Sequence, residues 1–207
     1  MKCILPVLIF FVLLLAPDAR GQAFTKEQFR RDFEYFWTTV NDNYCYFNPA
    51  VTNWARVKAM YAPSIDTITT KAQFTGILEK ALYEIYDHHA GLNTNTDRSR
   101  RLVPTSTDVW AEYVNGKPVI TEVRPGYGAA AAGIVAGMEV LGVNDVPVEQ
   151  ALVPFLPAST GAVDAAAKSY ALRLVLAGDH VQARKFTLKY NNRAEQFYPD
   201  KNGFQLE

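Results

Sequence analysis

Apolar side chains recur every three or four residues through the first third of the chain, which is the spacing of amphipathic helices. We predict a first helix that starts at Thr25 and runs to about residue 44, because Thr25 and Gln28 have the spacing of a capping box. A second helix is predicted over 53–61. It should end before Pro63, because the residue preceding a proline disfavours the helical backbone.

A third helix is predicted to begin at Thr70, again with a glutamine three residues later. The three apolar stripes can bury one another's faces in a small helical bundle. We interpret their aromatic residues as core packing rather than as a ligand site. The predicted inward positions are Phe29, Phe33, Phe36, Trp37, Val40 and Tyr44 on the first helix, Trp54, Val57 and Tyr61 on the second, and Phe74, Ile77, Leu78, Ala81, Leu82 and Ile85 on the third.

After about Arg101 the period of the pattern changes from that of a helix to that of a strand. The polar segment 97–104 separates the two regions, and we interpret it as a linker whose arginines lie in a solvated loop. Two β-rich runs follow, over 109–114 and 119–123. Asn115-Gly116 lies between them, a dipeptide favoured where both turn residues need positive φ, so the runs predict a β-hairpin.

The stretch GYGAAAAGIVAGMEVLGVNDVPV, over 126–148, predicts a compact helix–strand–turn unit. Small side chains let a short helix over 129–132 lie close on a sheet, and Gly133 can end that helix at positive φ. The other elements predicted in this half are a strand over 140–143, a turn at Asn144-Asp145, a strand through Val146 and Val148, a helix over 163–177 closed by Gly178, and a final strand over 183–190.

The balance of acidic and basic residues bears on whether the protein binds nucleic acid. The 207-residue chain carries 21 basic and 21 acidic side chains, a formal net charge of zero. That balance argues against a nucleic-acid-binding protein, which usually carries a basic excess on one face.

The N-terminus has the pattern of a secretory signal peptide: Lys2, an apolar run of about 12 residues, and small residues at 19 and 21. An uncleaved anchor is the alternative, but a membrane span needs about 20 residues. We therefore expect export to a periplasmic, cell-envelope or extracellular location, with no stable membrane span after cleavage. Cleavage removes Cys3 and leaves Cys45, so no internal disulfide is expected. We interpret Cys45 as a buried, inert thiol.

The stretch AAAAGIVAGMEVLGVNDVPV resembles the core signature of a PDZ domain: a small-residue helix, Ala-Gly-Ile, a glycine, an apolar strand, an Asn-Asp turn and Pro-Val. The predicted hairpin, the helix over 163–177 and the strand over 183–190 stand where a PDZ domain would have them. The resemblance implies an α+β protein, in which a small N-terminal helical bundle precedes a PDZ-like, partly open β-barrel with two helices.

The first region is similar to the N-terminal helical region of C-terminal-processing and tricorn-type serine peptidases. The similarity rests on FEYFWTTVNDNYCYF, NWARVKAMYAPSI and LYEIYDHHAGLNT. In that family a helical region and a PDZ domain precede the catalytic domain that bears the nucleophilic serine. The predicted organisation is a signal peptide over 1–21, a helical domain over 22–96, a linker over 97–104, a PDZ-like domain over 105–192, and a tail or the start of a catalytic domain over 193–207.

The YDHHAGL segment resembles the family's Asp-x-His or Ser-His element, whose histidine belongs to the catalytic relay in tricorn-type members. The matching residues are His89, as the catalytic base, and Asp87, as its orienting group. A neutral imidazole can take a proton from a serine hydroxyl while a carboxylate orients it. The alternative is that Asp87 and His89 only cap the helix end and fix the following turn. We expect no metal site and no cofactor. Adjacent histidines such as His88 and His89 cannot readily bind one ion together, and His180 is the only other histidine in the sequence.

A serine in a context resembling the family's nucleophile is not found, and the sequence ends about where a catalytic domain would begin. We therefore expect the chain alone to be inactive and to work with a catalytic peptidase domain in the same or another chain. A stand-alone relative without that domain is the alternative. The serines after the signal peptide are Ser64, Ser99, Ser106, Ser159 and Ser169.

A PDZ-like domain implies that a peptide or protein substrate adds a strand beside the helix over 163–177. The predicted carboxylate-binding loop has no glycine, and Asp108 would repel a carboxylate, so internal strand pairing and interdomain docking remain open. The chain is thus predicted to present substrate to an exported serine peptidase. The alternative is a PDZ-like scaffold of the cell envelope. The predicted groove residues are Val109, Trp110, Ala111, Tyr170 and Arg173.

Overall fold

The computed structural model describes residues 24–47 and 52–201. The predicted signal peptide, over 1–21, lies outside this part of the chain. Three helices come first: α1 (Lys26–Asn43), α2 (Trp54–Ile65) and α3 (Lys71–Tyr83). Both predicted capping boxes are confirmed, because the side chains of Thr25 and Thr70 each accept a hydrogen bond from the backbone of the glutamine three residues later. These two glutamines each accept a bond from the cap backbone in return.

The prediction that α2 ends before Pro63 is wrong. The helix continues to Ile65, so the proline lies in its last turn. A proline there removes only its own backbone hydrogen bond, and burial of Ile65, 1% exposed, holds the final turn in place. The helix then ends at Asp66, whose backbone N–H bonds to the carbonyls of Pro63 and Ser64.

The helices pack into the predicted bundle. Trp37 and Trp54 tie α1 to α2 reciprocally, because each indole N–H donates to the other's backbone carbonyl, at 3.0 and 3.1 Å. Two groups of buried apolar side chains fill the bundle. One contains Trp54, Val57, Ala81, Leu82 and Ile85, and the other contains Phe29, Phe33, Ile65 and Ile68.

The second half of the described chain forms one antiparallel sheet of six strands, with the order β1-β2-β3-β5-β6 and with β4 paired to β3. The predicted hairpin is confirmed, since Asn115 and Gly116 both have positive φ, 51° and 77°. The sheet does not close into a barrel, and the fold is α+β as predicted. The strands are β1 (Val109–Val114), β2 (Lys117–Val123), β3 (Glu139–Val143), β4 (Val146–Pro147), β5 (Phe186–Tyr190) and β6 (Arg193–Phe197).

The glycine-rich unit folds largely as predicted. The short helix α4 (Gly128–Ala131) is followed by Gly133, where φ is 85°. The strand predicted through Val148 is wrong in its second half, because Val148 begins helix α5 (Val148–Leu152), which leads into a 3-10 turn over Val153–Phe155. Burial of Val148 and Leu152 on one side of α5 explains the difference, since residues four apart share a helix face.

Helix α6 (Ala165–Ala177) packs against β1. It starts two residues later than predicted, because the side chain of Asp164 caps it by accepting from Ala167 N–H at 2.8 Å. Gly178 closes the helix as predicted, with φ of 72°. A Cβ at Gly178 would lie 2.9 Å from Cγ of Arg184, so the position is also crowded.

The prediction of a final strand over 183–190 is wrong in two respects. Strand β5 starts at Phe186, and a further strand, β6, follows the turn at Asn191-Asn192 and pairs with β5 along its whole length. The sequence of β6 is RAEQF, and four of its five residues are exposed. It therefore lacks the alternation of apolar and polar residues by which a half-buried strand is predicted.

Segment 97–104 packs against the loop that follows α6. Arg101 N–H donates to the Gly178 carbonyl at 3.0 Å, and His180 N–H donates to the Asp97 carbonyl at 3.2 Å. The interpretation of the arginines as solvated is wrong for Arg101, whose side chain is 14% exposed and lies 3.6 Å from the Asp200 carboxylate. The predicted domain boundaries stay a prediction. Among the helices of residues 24–47 and 52–201, none has the length and apolarity needed to cross a bilayer.

Candidate active site

The predicted catalytic segment is a sharp turn that follows α3. Tyr86 adopts a left-handed backbone with φ of 41°, and Ala90 N–H closes the turn on the Asp87 carbonyl at 3.1 Å. The turn separates the two adjacent histidines. The side chain of His89 is 96% exposed, whereas the ring of His88 packs against α6 and β1.

Asp87 holds His89 in place. One carboxylate oxygen, Oδ1, lies 2.9 Å from His89 Nδ1 and accepts the His89 backbone N–H at the same distance. The other oxygen, Oδ2, accepts a hydrogen bond from the Tyr44 hydroxyl at 2.7 Å. Asp87 therefore fixes the turn and also orients the imidazole, and the catalytic roles of Asp87 and His89 stay predictions.

The electrostatics favour an ionised Asp87. Partial burial raises the pKa of this carboxyl, but the hydrogen bonds from His89 and Tyr44 outweigh burial and hold the pKa below its usual range. An ionised carboxylate at Nδ1 favours the tautomer in which Nδ1 carries the proton. Nε2 of the exposed ring is then free to accept a proton from an approaching hydroxyl.

His88 occupies the region where the peptide groove is predicted. Its ring stacks on Tyr170 at 4.4 Å between centroids and meets Trp110 edge-on at 6.0 Å. Arg173 Nε donates to His88 Nε2 at 2.9 Å. Burial, followed by the positive charge of Arg173, lowers the pKa of His88 to about 4, so the ring is neutral near pH 7 and accepts this bond.

The structure brings together three of the five predicted groove residues. The guanidinium of Arg173 lies 4.2 Å from the centre of a Trp110 ring, and both side chains contact His88, which also stacks on Tyr170. Val109 and Ala111 instead lie in the core, 6% and 0% exposed, because alternate residues of β1 point inward. The side chains of these two residues are therefore not available to a peptide, and neither is that of Tyr170, which is 3% exposed and lies in the same core.

One backbone N–H on the edge of β1 that faces α6 already donates a hydrogen bond within the protein. Ser169 Oγ accepts the backbone N–H of Tyr113 at 2.9 Å while donating to the Ala165 carbonyl at 2.7 Å. Sequence reasoning did not identify Ser169, His88 or Tyr44 as site residues. Only the adjacency of His88 to His89 was a signal, since the other contacts join residues far apart in the chain.

The expectation that Asp108 would repel a carboxylate is wrong. Arg184 bonds both its oxygens, Nη1 to Oδ1 at 2.6 Å and Nη2 to Oδ2 at 3.1 Å. Asp108 Oδ2 also accepts the Ala129 N–H at 2.8 Å, at the start of α4. Arg184 bonds Asp200 as well, at 2.6 Å. The Asp108 charge is thus neutralised inside the protein, with the side chain 0% exposed.

Two further predictions concern the Cys45 thiol and metal binding. Cys45 is exposed, so its interpretation as a buried thiol is wrong; the chain leaves α1 at Asn43, and the cysteine lies in the turn that follows. In the part of the chain that the structure describes, no group of three or more histidine, cysteine, aspartate or glutamate side chains is placed to hold a metal ion.

Comparison with known proteins bears first on the helical region. Residues 25–83 match the family described as the tricorn protease C1 domain. No curated protein matches the chain.

Solved structures extend the likeness to the fold. Mature CPAF complexed with lactacystin has a TM-score of 0.54 and 14% identity, over 84% of this chain and 34% of that one. Mature CPAF gives the same TM-score and identity, over 83% and 33%. The photosystem II D1 C-terminal processing protease has a TM-score of 0.37 and 17% identity, over 82% and 43%. The chain spans about a third of the length of the CPAF chains. Residues 25–83 therefore form a peptidase-related region, in a chain that shares its fold with part of CPAF.

Proposed function

We propose that this chain is the helical and PDZ-like front half of an exported serine peptidase. In this proposal it presents a peptide or protein substrate to a serine-bearing catalytic domain, in the same or another chain, outside the cytoplasm. His89 supplies the general base, Asp87 orients it, and Tyr44 orients Asp87. The observation that carries the proposal is the exposed His89 ring with its Nδ1 bonded to Asp87 at 2.9 Å.

The arrangement fits what a relay histidine requires. A base must reach a hydroxyl that arrives from outside, so its second nitrogen must face solvent before the nucleophile docks. A histidine that served only to cap the helix would need its backbone N–H bonded to Asp87, but would not need its ring held by the same carboxylate. The match of residues 25–83 to the tricorn protease C1 domain is consistent with a peptidase role for the region.

The peptide-binding part of the proposal concerns the edge of β1. A peptide that adds a strand there must displace the Ser169 bond to Tyr113 and move His88 away from Arg173. Titration of peptides with free and with amidated C-termini tests this step. Equal affinity would exclude capture of the carboxylate, and binding by neither peptide would exclude the groove as a binding site.

The test of the peptidase proposal uses the native protein purified from its host. A fluorophosphonate, which labels activated serines, should label the protein, and peptide hydrolysis should be measurable. Replacing His89 by glutamine should lower kcat/KM by about 100- to 10,000-fold, the usual loss when a general base is removed. His180→Gln is the matched control, since His180 is exposed and is not hydrogen-bonded through its ring among the described residues.

Two results would contradict the peptidase proposal. One is full hydrolysis by His89→Gln. The other is a native protein that, together with any chain that copurifies with it, neither reacts with the fluorophosphonate nor hydrolyses peptides. In the second case the PDZ-like scaffold becomes the better account, and the peptide titration then decides whether the groove binds.

A further inference from the structure

A cavity of about 550 Å³ lies beside α3. Its walls are α3, the segment 96–98 together with Arg100, and the 3-10 turn at Pro154 and Phe155. This volume lies within the range of small-molecule sites, about 300–1,000 Å³. Nothing in the proposed relay uses the cavity.

Arg100 is the first reason to expect a ligand there. Its guanidinium lies 4.6 Å from the centre of the Phe155 ring, and desolvation by burial lowers the pKa of the arginine. Over residues 24–47 and 52–201 the guanidinium has no hydrogen bond and no ion pair within 4 Å, and the charge of Asp179 acts on it from further away. A partly buried charge without a directly bonded acid is costly, and a ligand carboxylate would supply that acid.

Tyr83 supplies a second donor beside the same ring. Its ring centroid lies 5.5 Å from that of Phe155, and its hydroxyl has no hydrogen-bond partner in the described part of the chain. Burial raises the pKa of Tyr83, so the hydroxyl keeps its proton and donates. Two donors without a hydrogen-bond acceptor therefore lie beside one aromatic wall.

The rest of the lining is mixed in charge and largely apolar. Lys80 and Arg98 add positive charge, and Glu79 and Asp97 add negative charge, so with Arg100 the cationic side chains outnumber the acidic ones by three to two. Burial raises the pKa of Glu79, while the hydrogen bond with Ser99 and the charge of His180 lower it. The remaining wall includes Ala72, Gly76 and Pro154.

We propose that this cavity binds a small apolar carboxylic acid. The carboxylate accepts from the Arg100 guanidinium and the Tyr83 hydroxyl, because arginine presents donors in the geometry that a carboxylate accepts. The apolar part of the ligand lies along Phe155 and Pro154. The proposal does not depend on the peptidase proposal, since it involves none of Tyr44, Asp87 and His89.

The experiment is calorimetric titration of the full chain with octanoate and with octanamide, which matches octanoate in length but has no charge. Octanoate should bind, and octanamide should bind at least about tenfold more weakly, because charge-assisted hydrogen bonds are about twice as strong as neutral ones. Arg100→Met should weaken octanoate binding at least about tenfold and leave octanamide binding nearly unchanged.

Arg31→Met is the matched control, because Arg31 is an exposed arginine on α1, and this variant should bind octanoate as the wild type does. Tyr83→Phe should weaken octanoate binding by a smaller factor, while its thermal unfolding reports whether the fold is intact. The proposal is overturned if the wild type binds no octanoate, if octanamide binds equally well, or if folded Arg100→Met binds octanoate as tightly as the wild type.

Discussion

The hydroxyl of Tyr44 lies 2.7 Å from Asp87 Oδ2, which joins the residue that follows α1 to the turn that follows α3. The bond occupies the carboxylate oxygen that His89 does not use. Asp87 is therefore held from two sides, and the orientation of the His89 ring depends on the packing of the helical bundle.

Replacing Tyr44 by phenylalanine should raise the pKa of Asp87 towards its usual range and lower the free energy of unfolding by about 1 kcal/mol. A carboxyl with a lowered folded pKa stabilises the protein above its unfolded pKa and loses that contribution as the pH falls through the folded pKa. The cost of Tyr44→Phe should therefore be largest near neutral pH. Carboxyl-detected NMR titration and denaturant unfolding at several pH values measure the two effects.

Tyr46→Phe is the control for this change, because Tyr46 is 78% exposed and its ring lies beside that of Tyr44. The control should leave both the Asp87 pKa and the free energy of unfolding unchanged. An Asp87 pKa that is identical in wild type and Tyr44→Phe would show that the hydroxyl does not support this carboxylate.

Local chemistry made much of the fold predictable. Thr25 and Thr70 act through neighbours three residues away, and Asn115-Gly116 defines its hairpin turn through backbone preference alone. These signals are short-range, so one sequence is enough to identify them. The Asp87–His89 contact joins residues two positions apart, and the resemblance of the YDHHAGL segment to the family's element had singled out both residues.

Long-range packing determined the features that prediction missed. The stacking of His88 on Tyr170 joins residues far apart in the chain, and the pairing of β6 with β5 needs no apolar pattern in β6. Tertiary burial of Ile65 carried α2 past Pro63, against the local preference. In each case the contact that decides the structure cannot be identified from the neighbouring residues in the sequence.

Glu84 joins the two regions through three hydrogen bonds. Its buried carboxylate accepts the Tyr61 hydroxyl at 2.9 Å and the backbone N–H groups of Ala158 and Ser159 at 2.9 and 2.8 Å. Glu84→Ala should lower the free energy of unfolding by roughly 3 kcal/mol, because it leaves the buried Ser159 N–H and the partly buried Tyr61 hydroxyl and Ala158 N–H without their acceptor. Hydrogen exchange at Ala158 and Ser159 should accelerate.

Glu34→Ala provides the comparison for Glu84→Ala, since Glu34 makes an exposed ion pair with Lys58 at 2.6 Å. Such pairs contribute about 0–1 kcal/mol. Equal, small costs for the two variants would mean that Glu84 does not hold the two regions together.

Arg184 should be among the most sensitive positions in the protein. Its buried guanidinium pairs with Asp108 and Asp200, so Arg184→Met leaves Asp108 without its ion-pair partner and Asp200 with Arg101 alone. The expected loss is about 3–5 kcal/mol by denaturant unfolding. Lys185→Met, which breaks only the ion pair with the exposed Asp145, should cost about 0–1 kcal/mol. A loss under about 1 kcal/mol for Arg184→Met would contradict this account.

Two glycine substitutions should have opposite signs. A Cβ at Gly128 would collide with the backbone oxygen of Pro199, so Gly128→Ala should destabilise the protein by about 1–3 kcal/mol. Gly76 lies inside α3, and a Cβ there would meet no other atom within 4 Å, so Gly76→Ala should stabilise by about 0.5–1 kcal/mol. Thermal unfolding measures both, and stabilisation by Gly128→Ala would contradict the close approach of Pro199.

The tautomer of His89 tests most directly whether this residue is held as a base. ¹⁵N NMR of the imidazole at a pH where the ring is neutral distinguishes the two nitrogens, with Asp87→Asn as the comparison. The account predicts a proton on Nδ1, a free Nε2, and a shift of this equilibrium in Asp87→Asn, because the carboxylate at 2.9 Å selects the tautomer. A proton on Nε2 in the wild type would contradict it.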